Sequence, residues 1–382
     1  MKRLLIILSV FLGITANVLH AEPTLIPAPP EIAASSYILM DAYTGDILVS
    51  HNADEKLPPA SLTKLMTAYI TEYELARGDI AMTDQVTISK KAWRMKGSRT
   101  FVREGTKVPL KTLMQGMIVQ SGNDATVAIA EHIAGSESAF ADLMNQHAKL
   151  LGMKDSHFVN ATGYPVDGHY SSAHDIAIIA RATITQFPEN YPIYAEKYFT
   201  YNNIRQPNRN RLLWRDKSVD GLKTGHTEAA GYCLAASAVR NGTRLISVVM
   251  GTKSDEARAG ESQKLLDYGF RYYETRKLYS RGQVLSNARV WGGSQNTVKV
   301  GFANDVLVTL PRQDADSLPA SLQLNPTLEA PIKVGDVLGK ITVGTPGNIV
   351  LEKNVVALEP VDQGGFFKRM FDKIKLFFMN LF

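Results

Sequence analysis

The side chains of this 382-residue chain that could carry acyl-transfer chemistry begin with Ser61 and Lys64, in the run Pro58-Pro59-Ala60-Ser61-Leu62-Thr63-Lys64. Proline ahead of a periodic apolar stretch marks a helix start, so Ser61 is expected in the first turn with Lys64 on the same face. A serine hydroxyl becomes an effective nucleophile when a neighbouring base takes its proton, and a lysine is such a base only if its pKa falls toward neutrality. Ser-x-x-Lys alone recurs by chance in a chain of this length. Lys223-Thr224-Gly225, at the end of an apolar run, supplies an electrostatic condition: a second ammonium near Lys64 disfavours protonating both. The small Gly225 would let the backbone of a bound peptide pair with the strand edge. Ser121-Gly122-Asn123 lies at a break between two helical patterns, where a short polar loop can aim two side chains into a cleft; the alternative is a simple helix N-cap. His157, His169 and His174 form no His-Glu-x-x-His pattern and no cysteine ligand set accompanies them, so they read as structural histidines, and neither metal nor cofactor is assigned.

Elements far apart in sequence must bring these groups together. Residues 37–40 and 47–49 flank Tyr43-Thr44-Gly45-Asp46 as a hairpin, residues 231–239 and 244–250 join through Asn241-Gly242, and 219–224 adds a fifth strand. Between them lies helical periodicity over 62–75, 110–119, 124–133, 139–150 and 173–183. An antiparallel sheet assembled from both ends of a segment with a helical insertion is an α/β (α+β) fold, with a cleft where the two parts meet. Past about residue 275 come short alternations, at Val298, Val300 and Phe302; Val306, Val308 and Leu310; Ile332 and Val334; Ile341 and Val343. They predict a small all-β domain with no cluster of acid, base or nucleophile, hence a spacer or interaction module. The resulting division is a signal peptide at 1–21, a proline-rich lead-in at 22–35, a catalytic domain at 36–275, a β-sandwich domain at 276–361 and an amphipathic helix at 362–382.

Lys2 and Arg3 followed by the apolar run 4–19 and Ala21 read as a secretory signal, whether cleaved or kept as an anchor, so the chain is expected to be exported. The single Cys233 excludes an intramolecular disulfide and, in an apolar strand pattern, is expected to be inert core. The net charge of +5 is spread along the chain with no block of like charge, which argues against a nucleic-acid partner and suits an anionic membrane surface. Over 366–382, Phe366, Phe367, Met370, Phe371, Ile374, Phe377, Phe378 and Leu381 fall on one helical face and Lys368, Arg369, Asp372, Lys373 and Lys375 on the other, with Leu376 and Met379 off-face. The charges recur too often for a membrane span, so this helix is expected to lie in the interface with its basic side toward lipid headgroups.

Ser-x-x-Lys, Ser-x-Asn and Lys-Thr-Gly in this order are the signature set of penicillin-binding proteins and serine β-lactamases. With the longer strings Ser121-Gly122-Asn123-Asp124-Ala125, Gly168-His169-Tyr170-Ser171-Ser172-Ala173 and Asp220-Gly221-Leu222-Lys223-Thr224-Gly225-His226-Thr227, the chain resembles the D-alanyl-D-alanine carboxypeptidases of the low-molecular-mass penicillin-binding protein 5 and 6 group, from signal peptide to tail. The resemblance implies that Ser61 attacks the carbonyl between the two terminal D-alanines of a peptidoglycan pentapeptide, that Lys64 accepts its proton and that Ser121 relays a proton to the leaving group. It implies further that Asn123 holds the peptide, that Lys223 shapes the electrostatics, that Thr224 and Arg258 bind the terminal carboxylate, and that the backbone N–H groups of Ser61 and His226 form the oxyanion hole. β-Lactam antibiotics would acylate the same serine, and the protein would sit on the periplasmic face of the inner membrane. Residues 93–108 align with a loop near the site that is shorter here, which bears on substrate preference. Two rivals are weighed: a β-lactamase, against which stands the lack of an added glutamate around 160–167, and a membrane-tethered scaffold that binds cell-wall peptide without cutting it, against which stands the complete set Ser61, Lys64, Ser121, Asn123 and Lys223.

Overall fold

The structure, a computed structural model, describes residues 26–312, 318–345 and 348–379; the expected signal peptide, the start of the lead-in and Leu381 lie outside the described residues. Five alternating apolar runs form antiparallel strands β1 (Ser36–Asp41), β2 (Ile47–His51), β3 (Val219–Thr227), β4 (Gly231–Arg240) and β5 (Thr243–Thr252), paired in the order β2-β1-β5-β4-β3. The first strand therefore lies beside the last, with Ile38 opposite Val248, and β3 with its Lys-Thr-Gly run is an edge. Asn241 and Gly242 take φ of 50° and 83°, the backbone that joins two twisted strands through two residues.

Side chains leave a strand on alternate faces. Ile38, Met40, Ile246 and Val248 thus enter one core with Leu65, Met114, Ile129 and Ile176 of the helical insertion, while Leu39, Leu234, Leu245 and Val249 enter a second with Leu265, Leu266 and Phe270. The insertion comprises α1 (Lys64–Arg77), α2 (Leu110–Val119), α3 (Asn123–Ala134), α4 (Glu137–Leu151) and α5 (Ala173–Gln186). The opposite face is covered by α6 (Asp255–Tyr272), which the sequence reading did not single out. Its polar outer face conceals the apolar stripe, but its start carries a local signal, since the Ser254 hydroxyl accepts the Ala257 N–H at 3.0 Å.

The all-β part contains β6 (Tyr273–Tyr279), β7 (Val284–Arg289), β8 (Thr297–Gly301), β9 (Val306–Pro311), β10 (Ala320–Leu324), β11 (Val337–Thr345) and β12 (Asn348–Ala357). One sheet runs β7-β8-β12-β11-β10, and β6 pairs with β9. The expected alternation at Ile332 and Val334 is not a strand: Ile332 makes an isolated bridge to Val361, and Val334 stands exposed before the Gly335 turn. Thr44 and Thr309 share a 2.6 Å hydroxyl contact and Thr275 bonds Asp41, which fastens the β part to the first hairpin.

The terminal helix α7 (Phe366–Met379) keeps its phenylalanines exposed, but one residue departs from the expected polar face. Asp372 is only 5% exposed: its carboxylate accepts the Gly292 N–H at 2.9 Å and faces Arg289. Leu376, one turn on, is half-buried. A buried carboxylate needs donors, and the β domain supplies them, so α7 is docked by part of its polar side with the phenylalanines facing away. Among the described residues no helix is long and apolar enough to cross a membrane.

Glu72 on α1 is buried. Asn190 Nδ2 donates to its Oε2 at 2.6 Å, while Oε1 and the nearby Tyr194 hydroxyl have no hydrogen-bond partner. Burial raises its pKa to about 7. The unfolded chain ionises this group near its ordinary 4.5, so the stability it permits is full below that value and is lost as pH climbs toward 7. Glu72→Gln should be more stable than the parent at pH 8, by on the order of 2 kcal/mol, and no more stable than the parent at pH 4, where the acid is protonated in both states. Parallel melting curves at both pH values would contradict this.

Candidate active site

Ser61 sits in a 3-10 turn, Ala60–Thr63, rather than in the first turn of the α-helix; Lys64 opens α1 directly after it. The tighter turn still stacks residues three apart, and Lys64 Nζ lies 2.8 Å from Ser61 Oγ. The same ammonium meets Asn123 Oδ1 at 2.7 Å and the Thr162 carbonyl at 2.8 Å, so three acceptors fix it. Lys64 is 1% exposed and its pKa falls to about 7, first through burial, then through the Arg209 guanidinium, against the opposing pull of Asp124. The expectation that Lys223 is what depresses Lys64 is therefore corrected: loss of hydration is the larger cause, because an ammonium in low dielectric is penalised before any neighbour acts. Lys223, also buried, has its own pKa pushed far down by burial and then by Lys64, Arg209 and Arg258, and its Nζ donates to the Thr224 carbonyl at 3.0 Å.

Ser121 is not a helix cap. Gly122 is the N-cap of α3 and makes no side-chain cap bond; Ser121 itself is held at φ 65°, a left-handed backbone that a non-glycine residue rarely adopts. Its hydroxyl is buried with no hydrogen-bond partner and lines a cavity of about 710 Å³ together with Ser61, Asn123, Thr224, Arg209 and Arg258. A strained serine with an unsatisfied hydroxyl beside a cavity is the mark of a site that a ligand completes. Asn123 Nδ2 donates to the Lys96 carbonyl at 2.7 Å, so this amide links Lys64 to the 93–108 loop.

Gly225 is required by a close approach. A Cβ there would meet the Pro59 carbonyl at 3.0 Å and the Ser61 nitrogen at 3.3 Å, so glycine lets β3 lie close against the turn that carries Ser61. Ser61 and His226 both line the cavity. The His226 ring is exposed and packs on Tyr232 at 3.9 Å between centroids. Arg258 on α6 donates to the Gly225 carbonyl at 3.0 Å and pairs with Asp255. Asp255 is held also by Arg211. Arg209 was not foreseen: it lines the same cavity, and among the described residues it has no ion-pair partner. Its signal lay in Asn208-Arg209-Asn210, where Asn210 ties the loop to β3 by donating to the Gly221 carbonyl at 2.9 Å. The three histidines have separate partners: His169 with Thr63 at 2.8 Å, His157 with the Gly168 carbonyl at 2.7 Å and His174 with Asp54 at 2.8 Å. Burial drives the His169 pKa down to about 4, so its ring is neutral where it braces the turn. Cys233 is fully buried, and burial raises its thiol pKa to about 11.

Asp124 also escaped the sequence reading as a structural element of the site. Fully buried, its carboxylate accepts the N–H groups of Thr100 (2.7 Å), Phe101 (2.8 Å), Val102 (3.2 Å) and Ala125 (2.9 Å). It thereby clamps the loop that also contacts Asn123. Asp124→Ala should lower stability by roughly 3 kcal/mol or more, since several charge-assisted bonds are lost together, and should expose the amides of 100–102 to hydrogen exchange. Unchanged protection of those amides would remove the clamp from the account.

Residues 24–254 match the family described as D-alanyl-D-alanine carboxypeptidase, and residues 273–363 match that described as penicillin-binding protein 5, C-terminal domain. The chain is 44% identical over 367 residues to the D-alanyl-D-alanine carboxypeptidase DacA of Escherichia coli (strain K12), covering 94% of this chain and 91% of that one. It is 42% identical to DacC of the same strain, over 98% and 95% of the two. Penicillin-binding protein 5 from Haemophilus influenzae superposes with a TM-score of 0.83 at 43% identity, over 88% of this chain and 100% of that one. The half-buried serine with its buried lysine, the strained second serine and the Lys-Thr-Gly edge thus stand in a chain that belongs to the D-alanyl-D-alanine carboxypeptidase family.

Proposed function

We propose that the protein is a serine D-Ala-D-Ala carboxypeptidase that removes the terminal D-alanine from peptidoglycan pentapeptides through an acyl-enzyme on Ser61. The observation that carries the reading is the 2.8 Å contact between Ser61 Oγ and a Lys64 amine whose pKa lies at about 7. Half of such an amine is neutral at that pH and can take the hydroxyl proton as Oγ bonds to the carbonyl carbon. The oxyanion forms beside the Ser61 and His226 N–H groups, where fixed donors stabilise developing charge. Its collapse breaks the bond to the terminal D-alanine, whose nitrogen receives a proton through Ser121, and water then cleaves the ester. Asn123 holds the peptide while fixing Lys64. Thr224 and Arg258 place a hydroxyl and positive charge at the terminal carboxylate, Lys223 shapes the electrostatics around Ser121, and Arg209 adds a second guanidinium that lines the cavity. Penicillin would form a long-lived adduct at Ser61: the one carboxylate among the cavity-lining residues is Asp255, and two guanidiniums engage it, which leaves it poorly suited to activate water for deacylation.

The same reading assigns export by residues 1–21, work in cell-wall biogenesis and cell shape, and attachment to the periplasmic face of the inner membrane through 366–382. Support comes from the exposed phenylalanines of α7, an apolar face with flanking cations suited to an interface.

Two outcomes are expected. Ser61→Ala should reduce D-alanine release from a pentapeptide by roughly 10⁴-fold or more, and acylation of the parent enzyme should rise with pH through about 7, because the neutral form of Lys64 is the reactive one. The two buried lysines titrate as a pair, so the limb reports both. A rate independent of pH between 5 and 8 would sink the assignment of Lys64. Separately, chain termination after Gly365 should abolish sedimentation with membranes while leaving turnover of a soluble pentapeptide intact; membrane retention would shift the anchor elsewhere.

A further inference from the structure

The docking of α7 leaves a cavity of about 520 Å³ between the helix and the β domain. One wall is the apolar row Phe366, Met370 and Ile374, all exposed and continuous with the outward phenylalanine face. The other is Trp291, Gly292, Ala330 and Gln363. Three charged side chains open on it: Arg369, Lys373 and Glu329. None has an ion-pair partner among the described residues; Arg369 has a 3.2 Å bond to Gln363 Oε1. The remaining charge, Asp372, is committed to Gly292 and Arg289.

We infer that this groove binds the headgroup of a zwitterionic phospholipid bearing a primary ammonium. The inference rests on the membrane reading above and goes beyond it, from a helix that lies on a bilayer to a site that selects a lipid. Two unpaired cations suit a phosphate, for which charge-assisted hydrogen bonds are the strong ones. The unpaired carboxylate of Glu329 suits an ammonium that can donate hydrogen bonds. The apolar row leads from the headgroup toward the acyl chains, and Trp291 has the amphipathic character favoured at a membrane interface. The Asp372 latch makes the groove a fixed site, because it holds the helix wall at one distance from the domain wall.

Vesicles without net charge separate a local headgroup contact from general attraction of cations, since they have little surface potential. The full chain is sedimented with vesicles of phosphatidylcholine alone and with a mixture containing phosphatidylethanolamine, both without net charge, and with an anionic mixture containing phosphatidylglycerol, which reads the general attraction of cations. The parent protein should bind the ethanolamine mixture more tightly than phosphatidylcholine alone. The pair Arg369→Gln and Lys373→Gln should weaken binding to the ethanolamine mixture roughly tenfold, the scale of one charge-assisted bond. Lys368→Gln with Lys375→Gln removes the same charge outside the groove and should not. Glu329→Gln should erase the ethanolamine preference alone, because a trimethylated headgroup cannot donate to it. All variants should retain pentapeptide turnover, which reports their folding. Equal losses for the two lysine-containing pairs, or no ethanolamine preference in the parent, would overturn the groove while leaving the anchor standing. Failure of the parent to bind any of the three vesicles would overturn the membrane reading and the groove with it.

Discussion

Burial of the Lys64 ammonium is the constraint on which the rest of the site depends. An amine out of contact with water loses its preference for the charged form, and the fold arranges three oxygen acceptors around it so that burial does not become disorder. Each acceptor comes from a different part of the chain: the Ser61 turn, the start of α3 and the Thr162 loop. Beside it the guanidiniums of Arg209, Arg211 and Arg258 line a cavity in which Asp255 is the one carboxylate among the lining residues. That concentration of positive charge is costly to the apo protein and useful to an anionic peptide terminus, and the cost is borne by the packed layers on both sides of the sheet.

Close approach is the other half of the design. The sheet's edge strand lies close against the turn that carries Ser61 because residue 225 has no side chain, and Ser121 is held in a backbone conformation that its neighbours must enforce. Nearby, the buried Asp124 carboxylate collects the amides of the 100–102 segment, on the loop whose Gly97 and Ser98 line the cavity. Arg258, which the chemistry would assign to substrate, is meanwhile held ready by Asp255, so the orientation of the guanidinium is set before any peptide arrives.

At the far end of the molecule a single buried acid does comparable work. Asp372 turns an amphipathic helix from a tether into a docked element, and the direction of its apolar face becomes a property of the β domain. Sequence periodicity placed Asp372 with the solvent-facing charges because helical geometry alone cannot say which part of a polar face a neighbouring domain will claim.

Local chemistry made much of the molecule legible in advance. The Asn241-Gly242 turn, the strands of the main sheet and five helices follow from turn backbone preferences and from periods of 2 and 3.6 residues, which need no tertiary information. Ser61 and Lys64 were found because their spacing is itself helical, and Lys223, Thr224 and Gly225 because they end a recognisable strand. The tertiary structure alone decided why Lys64 can act as a base, since burial is a property of the surroundings and not of spacing; it replaced the second ammonium with desolvation as the main cause. It also brought in Arg209, which acts on a Lys64 far back in the sequence, and the Asp124 clamp, whose partner amides lie about two dozen residues away, and it showed Ser121 to be a strained, unsatisfied hydroxyl where its sequence context allowed an ordinary cap. Sequence named the Ser61–Lys64 pair, and the fold set its protonation, because a pKa depends on the water and charge excluded or gathered by distant segments.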